Sequence, residues 1–273
     1  MPVDLFELAR EKAPALADRC QEIVDAKQGD DRAAIDAFGA MLQQAACVGV
    51  NMHPARLAAL LEGEPYLNAH ELAARQGAED SQEYEAELRR VLKSWYDARV
   101  TFTTAYAGAK EFKYGAANTG NAGALHYGAG CAILKHQDWA SLAVLPHDSL
   151  VGYVRDGAVA ADDIQADVGP WESRRDVATI KLHGDACDSD ETRWPRLVCS
   201  DEEYIEAIFV GAVTVDEVRE VRFTAQERQD SWELAMGLTA ASLRDDVEHV
   251  HAMHRVEEAT TLRGIPLETV PDD

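Results

Sequence analysis

The chain has 273 residues, 47% hydrophobic and 27% charged, enough to bury a substantial core as one large domain or two modest ones. Its formal net charge of −23 sets the average surface against phosphate backbones and anionic headgroups, so neither nucleic acid nor a membrane is expected as a partner. No apolar run approaches the roughly 20 residues of a membrane helix, and the N-terminus lacks the basic start and apolar run of a secretory signal, so a cytoplasmic protein is expected.

Apolar residues at helical spacing (Leu5, Leu8, Ala9, Leu16, Ile23, Val24) predict a helix over 3–28, broken at Pro14 or split into two. After the turn at Gly29, Asp31 is the expected cap of a second helix through Ile35, Phe38 and Leu42. Residues 47–52 form a short β-like run that ends at His53 and Pro54, and a helix carrying Arg56, Leu57 and Leu60 follows. Proline suits the first helical turn, so His53 falls where a strand becomes a helix: it either caps that turn or faces a cleft. A loop and short helix occupy 63–77. A charged helix with Tyr84, Leu88 and Trp95 on one face then runs to about residue 100, its glutamates and arginines paired three and four apart on the solvent side.

Residues 99–135 break with this helical pattern. They hold six glycines in 37 residues and two β-type runs. Glycine brings a backbone close to a ligand and presents N–H groups unobstructed, so the stretch reads either as a binding loop or as a β-meander whose glycines only turn the chain. Short apolar runs at 141–145, 150–154, 178–182 and 204–210, separated by turn residues, predict a sheet. The acidic segment 185–191 has little to bury and reads as a surface loop. Thr224 and Glu227 resemble a capping box and open a helix that continues toward Glu258.

Helix, then sheet, then helix predicts an α+β fold: a helical N-terminal region over 1–98, a β-rich core with a mainly antiparallel sheet over 99–223, and a C-terminal helix and tail over 224–273. The five cysteines are odd in number and form no C-x-x-C pair, which argues for reduced, mostly buried thiols. His251 and His254 can share a helix face while His249 points elsewhere, so no metal is expected there. Asp148 and Ser149 after His147 lack a nucleophile elbow and read as a capped turn.

Four pieces are candidates to converge: His53 with Arg56, the turns around Tyr114 to Asn118 and His126 to Gly128, the Pro146 to Ser149 turn, and the acidic start of the strand at 200–207. Together they supply an anion-facing arginine, aromatics for a planar ring, backbone N–H groups and a carboxylate. The motifs NMHPARL, KYGAAN, HYGAGCAIL and EEYIEAIFVGAVTVDEV resemble those of an uncharacterised bacterial family with H-P-D-R, K-Y-G-A-L-N and Y-I-E-A-x-V-H-G-P-V patterns. The last also resembles the final catalytic strand of mono-ADP-ribosyltransferase-like proteins, which split NAD and pass ADP-ribose to an acceptor. The similarity covers roughly residues 47–223, with Ala55 where the pattern has aspartate and Val210, Gly211, Ala212 and Val213 in place of H-G-P-V.

That resemblance implies NAD as substrate and a protein or small-molecule acceptor. It makes Glu203 the first choice for the catalytic carboxylate, with Glu206 its competitor; strand alternation keeps the two from facing one cleft together. It assigns NAD binding to His53, Arg56, Tyr114, Gly115, Asn118, Tyr127 and Gly128. A catalytically silent binding protein of the same fold is the alternative, and an acidic protein that binds a basic partner is a third.

Overall fold

A computed structural model describes residues 2–79, 81–135, 140–239 and 243–272. The first helix forms in one piece, α1 (Leu5–Asp25), with Pro14 inside it and Asp4 accepting from the Phe6 and Glu7 amides. Leu5, Phe6, Ala9, Leu16, Cys20 and Val24 are buried along it on both sides of the proline, so packing outweighs a local cost of about 3 kcal/mol. In α2 (Gly29–Ala45) the N-cap is Gln28, and Asp31 lies inside the first turn, where its charge still favours the helix N-terminus.

The chain then runs through β1 (Cys47–Met52), α3 (Pro54–Glu62), α4 (Ala69–Ala74), α5 (Gln82–Leu92) and α6 (Tyr96–Ala105). Residues 99–105 open the stretch that departs from the helical pattern in sequence, yet they are helical: Tyr96, Phe102 and Thr103 are buried on one side of α6, and tertiary packing overrides the strand propensity of their threonines and aromatics. Lys93, at φ 49°, turns the chain between α5 and α6. The strands β2 (Lys113–Asn118), β3 (Gly130–Leu134) and β4 (Leu142–Leu145) follow, then the small hairpin β5 (Val154–Arg155) and β6 (Ala158–Val159).

Next come α7 (Ala161–Asp167), β7 (Gly169–Pro170), α8 (Arg174–Asp188) and α9 (Trp194–Val198). The predicted strand at 178–182 and the start of the predicted acidic loop both belong to α8. Its buried residues Val177, Ala178, Leu182 and Ala186 recur on one side, a pattern that a five-residue apolar run cannot reveal. The end of the chain forms β8 (Glu206–Phe209), β9 (Val218–Thr224), α10 (Ala225–Gly237), α11 (Arg244–Arg263) and β10 (Leu267–Val270). Thr224 caps α10 by accepting from the Glu227 amide, as its motif predicts. The C-terminal helix is two helices instead of one, because α10 ends at Gly237.

The fold is α+β, with helices toward both ends and an eight-stranded sheet in the order β10-β9-β3-β1-β2-β8-β4-β7. Among the described residues its strand pairs are antiparallel except β10–β9, which is parallel. The central strand β1 is the β-like run expected at 47–52, inside the N-terminal region, and β10 comes from the tail, so the sheet draws on all three predicted regions.

Strand alternation sorts the two faces. Val48, Val50, Ala117, Ala132, Val144, Ala207 and Phe209 point into the larger core with buried residues of α2, α3, α8 and α11. On the opposite face Ala143, Leu145 and Ile208 pack with Leu5, Phe6, Phe102 and Phe112. Beside that second cluster the same face also carries Asn51 and Glu206, and apolar packing gives way to a cavity.

Candidate functional site

The cavity, of about 370 Å³, lies between the sheet and the segment that runs from Tyr66 through α4, α5 and α6. Volumes of this order are typical of small-molecule sites. His53, Arg56, Arg99, Tyr114, Tyr127 and Glu206 are among its lining residues, and Gly115 contributes backbone. Three distant segments thus meet at one hollow, because β1, β2 and β8 are neighbours in the sheet.

Glu206 is the carboxylate inside. It opens β8 opposite Ala116 of β2, is 2% exposed, and accepts hydrogen bonds from the Ser149 amide (2.8 Å) and hydroxyl (3.3 Å). Burial, reinforced by the negative charge of Asp148, pushes its carboxyl well above the ordinary glutamate value; Arg99 and the Ser149 bonds oppose the rise. Glu203 is elsewhere. Its half-exposed side chain pairs with Lys181 and lies 3.7 Å from His147, outside the cavity lining, so the first-choice carboxylate is not the one the fold turns inward. The Lys181 side chain is largely covered and donates to the carbonyls of Pro146 and Tyr204, tying the Asp148 turn to the chain leading into β8.

The Asp148 turn is a capped one. Asp148 Oδ1 accepts from the Leu150 (2.7 Å) and Val151 (2.9 Å) amides, while Oδ2 accepts from the Tyr127 hydroxyl at 2.6 Å and from that of Tyr204. Burial alone would raise this carboxyl, but those hydrogen bonds outweigh it and hold it below the usual aspartate value. Tyr127 and Tyr204 are also within 2.8 Å of each other through their hydroxyls, and their rings meet edge to face. Both phenols are pushed up, burial first and the Asp148 and Glu206 charges after it.

Arg99 reaches the same centre from α6. Its Cζ lies over the Tyr114 ring, 3.7 Å from the centroid, a cation–π contact. Arg99 Nη1 and the Tyr114 hydroxyl are both buried, and neither has a hydrogen-bond partner among the described residues. Burial raises the Tyr114 phenol to about 12 against the opposing pull of Arg99. Arg56 donates to the Leu67 carbonyl and stacks over Tyr66, with its Cζ 4.6 Å from the ring centroid. His53 does both things open to it: it caps α3, accepting from the Ala55 amide at 3.2 Å, and it lines the cavity.

Asn118 and Gly128 have another role. Asn118 is 1% exposed; its Oδ1 accepts from the Gly120 and Asn121 amides and from Arg222 Nη1. Asn121 accepts from the Gly123 amide, and Asn51 accepts from the Ala124 amide while donating to the Ala122 and Gly128 carbonyls. The glycine-rich stretch therefore offers none of those four amides to a ligand, and three asparagines hold it against the sheet. At Gly128, φ is 139° and a Cβ would overlap the Met52 carbonyl carbon, so glycine is needed for close approach to β1.

Residue-level reading assigns no site role to Arg99, Tyr204 or Asp148, although Tyr204 and Asp148 lie in two of the candidate segments and Asp148 is read there as a turn cap. Tyr204 was accessible to it, lying two residues before Glu206 on the same side of an extended chain. Arg99 was not, since its placement depends on how α6 packs. In the C-terminal histidine segment, His249 sits 3.4 Å from Glu227, with its ring 6.4 Å from that of His53. Among the described residues no three His, Cys, Asp or Glu side chains converge as a metal would require. No protein-family model matches the chain, and no curated protein matches it either.

Proposed function

We propose that the cavity takes the nicotinamide-ribose end of NAD and that the protein is an ADP-ribosyltransferase-like enzyme with Glu206 as its catalytic carboxylate. The observation that carries this reading is the burial of Glu206 in the hollow lined by His53, Arg56, Tyr114 and Tyr127. As the bond between nicotinamide and ribose breaks, nicotinamide leaves with the bonding electron pair and positive charge develops on the ribose. An ionised carboxylate in a dry pocket stabilises that charge far more than one in water. The tyrosines offer ring faces to nicotinamide, and Arg56 and His53 bind the ribose and phosphates. An acceptor nucleophile, from a protein or small molecule, then adds to the ribose and loses its proton.

The test is NAD titration calorimetry followed by an NAD-cleavage assay. Glu206→Gln is expected to lose about 10²–10³-fold in turnover while Glu203→Gln changes little. Ionised Glu206 is the working form, so wild-type turnover rises as pH climbs through its raised ionisation range. Equal loss in both variants, or no NAD binding by the wild type, would overturn the reading.

One observation favours a second reading, a binding protein that does not turn NAD over. The Arg99 guanidinium, itself planar and cationic, occupies a face of Tyr114. NAD binding without cleavage is its signature in the same experiment.

A further inference from the structure

The turn that caps itself with Asp148 also grips Glu206 through the next residue. Ser149 donates its amide and hydroxyl to the Glu206 carboxylate, and Asp148 accepts from Tyr204, two residues before Glu206. Two carboxyl groups are thus held by one turn, on the side of β8 that faces the cavity. We propose that Asp148 is a positioning residue for this site: it anchors the Tyr127 and Tyr204 hydroxyls at the cavity wall and, next to the Ser149 that grips Glu206, is the charged neighbour of that carboxylate. The role assigned to Glu206 rests on the NAD reading above; the electrostatic coupling of the two acids does not.

The geometry makes Asp148 suitable for both tasks. All four hydrogen bonds to its carboxylate come from donors, two amides and two phenols, which stabilise its charged form and leave it the ionised member of the pair. Those bonds also fix Tyr127, whose half-exposed ring forms part of the cavity wall. The other groups acting on Glu206 are Arg99 from α6 and the Ser149 dipoles on the turn side; the Tyr114, Tyr127, Tyr153 and Tyr204 phenols feel its charge. Arg99 is the cation among them and favours ionisation, so Asp148 and Arg99 pull Glu206 in opposite directions. Two acids held by one turn interact through space, and removal of one charge lowers the apparent midpoint of the survivor.

The experiment is a carbon-13 titration of glutamate-labelled protein, in which the carboxyl resonance missing from Glu206→Gln identifies Glu206. In Asp148→Asn the oxygen can keep the two amide bonds while the phenols turn to accept from the new NH₂ group, so the turn retains partners. The Glu206 midpoint is expected to fall by about one pH unit. Asp148→Ser, whose hydroxyl can cap the same amides without charge, should give the same fall and serves if the asparagine variant does not fold. An unmoved midpoint in the folded variant overturns the proposal. The pH profile of NAD cleavage, where cleavage occurs, should shift its acid limb in step. If the midpoint moves but wild-type protein cleaves no NAD, Asp148 keeps its role and the transferase reading fails; if NAD is cleaved and the midpoint stays, only the Asp148 proposal fails.

Discussion

At the scale of single residues, the cavity is expensive to build. Glu206, Arg99 Nη1 and the Tyr114 hydroxyl are polar groups taken out of water, and an unsatisfied one costs about 1–3 kcal/mol. His70, on the same lining, shows the consequence for stability. Its Nδ1 lies 2.7 Å from the Tyr84 hydroxyl, and burial, with Lys110 and Arg99 adding to it, lowers the imidazole from 6.5 to about 4. A depressed histidine binds its proton in the unfolded chain first. Stability from this group is therefore complete above the unfolded value and falls as pH drops from about 6.5 toward 4, by up to about 3 kcal/mol. Urea unfolding of wild type and His70→Gln between pH 7 and 4.5 checks this: the wild type should lose the advantage on acidification, and an equal fall in both would contradict it.

At the scale of elements, the glycine-rich stretch after β2 is tied down by hydrogen bonds legible in its own residues. Asn118 and Asn121 each precede a glycine by two positions, and in both cases the asparagine oxygen accepts from that glycine amide. Asn118→Ala should expose the Gly120 and Asn121 amides, cost about 1–3 kcal/mol, and speed hydrogen exchange at those positions before the rest of the sheet. Exchange that stays as slow as in the wild type would mean that the backbone alone holds the loop. The short apolar runs were less legible. Residues 142–145 and 206–209 became strands while 178–182 became part of a helix, because a run of four or five apolar residues fits either element and only its neighbours arbitrate.

At the scale of the whole molecule, a charge of −23 on 273 residues makes self-repulsion a global term. Raising ionic strength from about 0.01 M to about 0.15 M shortens the screening length from about 30 Å to about 8 Å, and Tm should rise by about 2–4 °C if screening gains about 1 kcal/mol. A Tm that falls instead would show that ion pairs such as Glu62–Arg255 outweigh the repulsion. No helix among the described residues is long and apolar enough to cross a membrane. The class of fold, the helix at each end, the cap at Thr224 and the junction at His53 all follow from local spacing, since capping and periodicity act over three or four residues. Strand spacing predicts that Glu203 and Glu206 face opposite ways, but Glu203 lies in the bend before β8, where the Ser200 amide donates to its carbonyl, so alternation does not reach it. Which of them turns inward was decided by tertiary structure alone. Period-two alternation leaves the phase of a strand undetermined, and pairing of Glu206 with Ala116 and with Leu145 in the neighbouring strands sets it. Arg99 over Tyr114 was likewise beyond local reading, because a helix and a strand meet there through packing that no sequence distance encodes.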